Sequence, residues 1–95
     1  MKVRYRAQAR ADIEEIRRYL QQRSPIGARN VLRSIRASVR FIADNPIAAE
    51  QTDDPGIRVK VVLEYPYKIF YSVHPEMIEI LHIRHSAREP WPGRR

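Results

Sequence analysis

The sequence predicts an α+β fold ordered strand, helix, helix and three further strands, with a helical hairpin packed on one face of a small, mainly antiparallel sheet. Three observations predict it. Apolar residues recur at helical spacing through the first half of the chain, and the period changes from 3.6 to 2 in the second half. Between the two regimes stands Asp53-Asp54-Pro55-Gly56, a turn signal. A helical hairpin must bury its apolar stripes, and one face of the sheet is the surface available to receive them.

The elements follow in order. Val3-Arg4-Tyr5-Arg6 alternates and reads as a short first strand. Ala9, Ile13, Ile16 and Leu20 make the apolar stripe of a helix over Ala7–Gln22. Asp12, Glu14 and Glu15 fall early in it and Arg17, Arg18 and Arg23 late, the arrangement the helix dipole favours, with Glu14 and Arg18 spaced as an i,i+4 pair. Ser24-Pro25 is a helix start, because the hydroxyl can accept an orphan amide and proline is pre-organised at the first helical position. Ala28, Val31, Leu32, Ile35, Val39 and Ile42 carry the second helix to Asp44, and Asn45-Pro46 ends it. The short joint between the helices makes them antiparallel.

Ile47–Gly56 is polar and is expected to be a loop. Ile57–Leu63 alternates, with Arg58 and Lys60 on one face, and Tyr65-Pro66 breaks it. Tyr67–Val73 is rich in aromatic and β-branched residues, as strands are. His74-Pro75-Glu76 is a turn, and Met77–His85, apolar on both faces in its middle, is expected to be a central strand. Ser86–Arg95 is expected to be an irregular basic tail of a single domain spanning 1–95. The helices leave the opposite sheet face partly uncovered, carrying Arg58, Lys60 or Lys68 according to register.

Charge is the strongest compositional fact: 18 Lys+Arg against 11 Asp+Glu, a net charge of +7. Lysine is limited to Lys2, Lys60 and Lys68, and guanidinium suits bidentate contacts to phosphate or carboxylate. An anionic partner is expected: nucleic acid, a nucleic-acid machine or an acidic protein. There are no cysteines for disulfides or thiolate-bound metal, and no apolar run of the ~18 residues that a membrane span requires. The charged, strand-like N-terminus does not resemble a signal peptide. These features lead to the expectation of a cytoplasmic protein without cofactor or metal.

Arg29, Arg33, Arg36 and Arg40 recur along one stripe of the second helix. The stripe can meet DNA phosphates or an acidic surface, or simply be the helix's solvated face. His82 and His85 have odd spacing on a strand, which places them on opposite faces rather than as a metal pair, and His82 reads as a hydrogen-bonded core residue. Tyr65, Tyr67, Phe70 and Tyr71 read as strand and core residues rather than base-stacking platforms.

Tyr65-Pro66-Tyr67-Lys68-Ile69-Phe70-Tyr71, Ile78-Glu79-Ile80-Leu81-His82-Ile83-Arg84-His85 and Ala87-Arg88-Glu89-Pro90-Trp91 together resemble the C-terminal half of ParE/RelE-family toxins. Ala11-Asp12-Ile13-Glu14-Glu15-Ile16 with Tyr19-Leu20, and Pro25 with Ala28 opening the second helix, resemble their N-terminal half. The resemblance implies a toxin neutralised by a cognate antitoxin that wraps a segment around it and often carries a DNA-binding domain. Exposed apolar surface on the sheet edge and first helix would receive that segment by groove or strand addition. Trp91 would anchor the tail or the partner. Arg29, Arg33, Arg36, Arg40, Arg88 and Trp91 are therefore the expected contacts to target or antitoxin.

The family divides by target: RelE-like members cleave mRNA on the ribosome, and ParE-like members inhibit DNA gyrase. Cleavage through a 2′-hydroxyl needs a base, an acid and cations around the developing charge. The resemblance would place these among Arg58, Lys60, Lys68, Arg84, His85 and Arg88, without a residue-by-residue match to the family's constellation. The long helical hairpin resembles ParE-like members more closely. Gyrase inhibition is thus the first expectation, and ribosome-dependent mRNA cleavage the alternative.

Overall fold

A computed structural model describes residues 1–85. The tail expected over 86–95, with the calls on Arg88 and Trp91, lies outside the described residues. The elements are β1 (Lys2–Tyr5), α1 (Ala7–Gln21), α2 (Pro25–Asp44), β2 (Glu50–Gln51), β3 (Arg58–Val61), β4 (Tyr67–Val73) and β5 (Met77–His85). They form a five-stranded sheet in the order β1-β5-β4-β3-β2. Among the described residues, only the β1–β5 pair is parallel. The fold class is the expected one, with one more strand.

That strand is β2, in the segment expected to be loop. Glu50 and Gln51 pair with Val59 and Arg58. Both are polar and exposed, so no apolar period announces them, and only the tertiary pairing makes them strand.

The helices are set up differently. Ser24 caps α2: its Oγ accepts the Gly27 N–H at 3.0 Å, and Pro25 takes the first position. α1 begins after Arg6 with no side-chain cap and no acid in its first turn. The early acids therefore do not serve its dipole as expected. Glu14 bonds Arg17 one turn on rather than Arg18, and Asp12 points inward.

Ile35, Val39 and Ile42 of α2 pack with Ile69, Tyr71, Ile78 and Ile80 of the sheet to make the centre of the core. Truncating one such isoleucine to alanine costs roughly 2–5 kcal/mol. A bulge in β5 completes this surface. Phe70 pairs with His82 but Tyr71 pairs with Ile80, so Leu81 is the extra residue. Strict alternation after Ile78 and Ile80 would send His82 and Arg84 to the helix side. The bulge advances the phase by one, returns Ile83 to the core and turns His82 and Arg84 outward. It explains why the middle of this strand is apolar on both faces.

Among the described residues, no helix is long and apolar enough to cross a membrane.

Candidate functional site: a groove at the open edge of the last strand

β1 is too short to cover β5. Its pairing ends where Tyr5 meets Ile80, and the Arg6 N–H donates to the Ile80 carbonyl at 2.9 Å before the chain enters α1. Beyond that point the edge of β5 faces α1 across a groove of about 1050 Å³. Ile16, Leu20, Val31, Tyr67 and Ile83 give it an apolar lining. Tyr19 stands at its rim, 54% exposed, with the Arg23 guanidinium 3.9 Å from the ring centroid. His85 meets Tyr67 edge to face, centroids 5.6 Å apart. An apolar trough between a helix and a strand edge that no described strand covers is the geometry that accepts an added strand or an amphipathic helix.

Asp12 closes one end of this groove and was not singled out from the sequence. It is buried, its Oδ2 accepts the Ile83 N–H at 2.9 Å, and its Oδ1 accepts from Gln8 Nε2 at 2.8 Å. A side chain from α1 thus satisfies a strand amide that β1 does not reach. The signal was present: Asp12 lies three residues after Ala9, in the phase of the apolar stripe, where a carboxylate needs a tertiary partner. His82 Nδ1 is 3.6 Å from the same carboxylate. Burial pushes the His82 pKa below its usual value; the Asp12 charge opposes the shift, and Arg84 and Arg6 add to it. His82 is therefore half-buried against a carboxylate rather than enclosed in the core.

The described candidates of the alternative nuclease reading are spread over two faces of the sheet. Arg58 pairs across strands with Tyr71, and Lys60 with Ile69, both residues of the helix-side core. Arg58 and Lys60 therefore lie on the helix side, not on the uncovered face as one register allowed. Both are engaged there. Arg58 Nη1 donates to the carbonyls of Ala49 at 2.8 Å and Ile47 at 3.3 Å, bracing the chain between α2 and β2. Lys60 Nζ lies 4.7 Å from the Phe41 ring centroid. Lys68 and Arg84 sit directly opposite each other on the other face. His85, paired with Tyr67, is on the helix side, beside the groove. Of the described candidates, only Arg84 and His85 border the same groove. Histidines 82 and 85 lie on opposite faces, as their spacing requires.

The aromatic residues divide as core residues do: Tyr67, Phe70 and Tyr71 are buried, and Tyr65 is half-buried. Tyr71 Oη donates to the Pro46 carbonyl at 2.8 Å, and burial raises its pKa. The four stripe arginines of α2 are all exposed. Gly27 and Val31, which line the groove, lie on the other side of that helix.

Comparison with known proteins supplies a family. The model described as "ParE toxin of type II toxin-antitoxin system, parDE" matches residues 3–90. Among solved structures, the chain is similar to one titled "Chromosomal ParDE TA system from P. aeruginosa", with a TM-score of 0.79 and 23% identity. That alignment covers 90% of this chain and 95% of the other, and at this identity it bears on the fold. No curated protein matches.

Proposed function

Because the chain belongs to the ParE toxin family of type II toxin–antitoxin systems, we propose that it is a single-domain, cytoplasmic toxin that inhibits DNA gyrase by binding, without chemistry of its own. The observation that carries this reading is the division of the candidate nuclease residues. Arg58 and Lys60 are engaged on the helix side, Lys68 lies on the opposite face, and Arg84 and His85 alone of the described candidates border the groove. A binding toxin has no need to bring them together.

The cognate antitoxin occupies the groove between α1 and the open edge of β5. It lays apolar side chains over Ile16, Leu20 and Ile83, with Tyr19 as the exposed aromatic at the rim. A DNA-binding domain elsewhere on the antitoxin would tie the pair to its operator. The arginine stripe of α2, on the other side of that helix, remains for the target.

The test is a supercoiling assay with purified gyrase, run with the toxin alone and then with its antitoxin. Inhibition or trapped cleaved DNA, relieved by the antitoxin, is the expected result. No effect at several-fold molar excess, together with ribosome-bound mRNA cleavage that Lys68→Ala and Arg84→Ala abolish, would replace it with the nuclease reading.

A further inference from the structure

The charge along α2 is organised for a regular anion. Arg29, Arg33, Arg36 and Arg40 project from one stripe spanning about 16 Å of helix axis, and the helix carries no acid until Asp44 at its end. Five arginines outside α2 have partners within the fold. Arg6 bonds Glu79, Arg17 bonds Glu14, Arg10 and Arg23 donate to backbone carbonyls, and Arg58 braces the segment before β2. The four on α2 make no ion pair among the described residues; Arg33 has only a 3.5 Å contact to Asn30. Neighbours at i,i+3 and i,i+4 bearing the same charge repel one another, so the stripe weakens its own helix unless an anion lies along it.

We infer that this stripe is a docking surface for the phosphate backbone of duplex DNA, read without regard to base sequence. Three features favour this over an acidic protein or a single strand. The cations are guanidinium groups, which take phosphate oxygens bidentately. They form a straight array on a rigid helix whose large exposed apolar side chains, Ile26 and Phe41, stand at its two ends rather than within it, whereas protein interfaces centre on apolar and aromatic anchors. No aromatic ring lies in the stripe to stack an unpaired base, and exposed Phe41 nearby is in contact with Lys60. The stripe and the groove occupy opposite sides of α2, so the two surfaces are separate. The inference rests on the reading of α2's outer face as the target side, but not on gyrase being that target.

The experiment therefore contains no gyrase. The toxin is titrated into a fluorescent mixed-sequence DNA duplex over a range of salt concentrations, and anisotropy gives the affinity. Four phosphate contacts predict a slope of log K against log salt near about −3.6. The double variant Arg33→Gln/Arg36→Gln should reduce that slope by about 2 and weaken binding at low salt by at least ~10-fold. Arg17→Gln/Arg18→Gln, which removes the same charge from exposed positions of α1, should leave the slope unchanged. Equal losses in the two double variants would reduce the effect to net charge and overturn the inference. So would tighter binding to polyglutamate, which would mark an acidic protein partner, or to a single strand. Failure of the unaltered toxin to bind the duplex at low salt, with gyrase inhibition intact in the separate supercoiling assay, would overturn the inference while leaving the gyrase reading standing.

Discussion

The Asp12 carboxylate accepts the Ile83 amide at 2.9 Å at the place where β1 stops covering β5. Removing it leaves a buried strand N–H without its partner, at a cost of about 1–3 kcal/mol. Asp12→Ala should lower the chemical-denaturation midpoint accordingly, with an unchanged slope. Asp12→Asn, which keeps an acceptor oxygen, should lose less. Equal losses would mean that the carboxylate's charge rather than its hydrogen bond matters at this position.

His82 makes stability depend on pH. Its pKa in the fold is lowered from 6.5, chiefly by burial, so the folded protein binds this proton less readily than the unfolded chain. The unfolded state then takes up more protons as the pH falls below about 6.5, and folding is weakened there; above that pH the contribution is fully present. Thermal melts should show Tm rising from the acid side toward pH 6.5, and His82→Gln should flatten that rise. A Tm equally pH-dependent in the variant would assign the effect elsewhere.

Ser24 is the cap of the helix that presents the arginine stripe. Ser24→Ala should destabilise the protein by about 1 kcal/mol, and Ser24→Gly by only a few tenths. Far-UV circular dichroism with urea titration measures both. No loss in either would mean that Pro25 alone defines the helix start.

Lys68 and Arg84 are cross-strand neighbours of like charge, a pairing that opposes sheet stability. Replacing Lys68 by Thr should raise stability slightly, by no more than about 1 kcal/mol, and leave growth inhibition intact. Growth inhibition abolished in a stably folded Lys68→Thr would mark the open face as chemically active.

Tyr19 stands at the groove rim, remote from the α2 stripe in the sequence. Tyr19→Asp should weaken antitoxin binding at least ~10-fold, as loss of an aromatic anchor does, while the free toxin keeps its potency. Calorimetric titration with the antitoxin decides this. Unaltered affinity would move the antitoxin off the groove.

Most of the architecture was legible because its signals are local. Ser24-Pro25, the apolar phase of α2 and the switch to alternation after Gly56 each act within a few residues, and each element appears where those signals stand. β2 escaped because Glu50 and Gln51 have no period, only a partner. The site was less legible. The identities of the basic residues were plain, but whether they shared a surface depended on pairing. Asp12, whose partner lies 71 residues away, appears in sequence as one more early acid of a helix.

By itself, then, the sequence determined the two helices, the strand-rich second half, the excess of positive charge and the arginine stripe, all consequences of spacing along one chain. The tertiary structure decided which face each strand residue occupies. Arg58 and Lys60 went to the helix side because they oppose Tyr71 and Ile69. His82 and Arg84 turned outward because a single inserted residue, Leu81, reverses the alternation of β5. A side-chain period of two makes every such assignment hinge on register, and register is set by hydrogen bonds between strands, not by the order of residues within one.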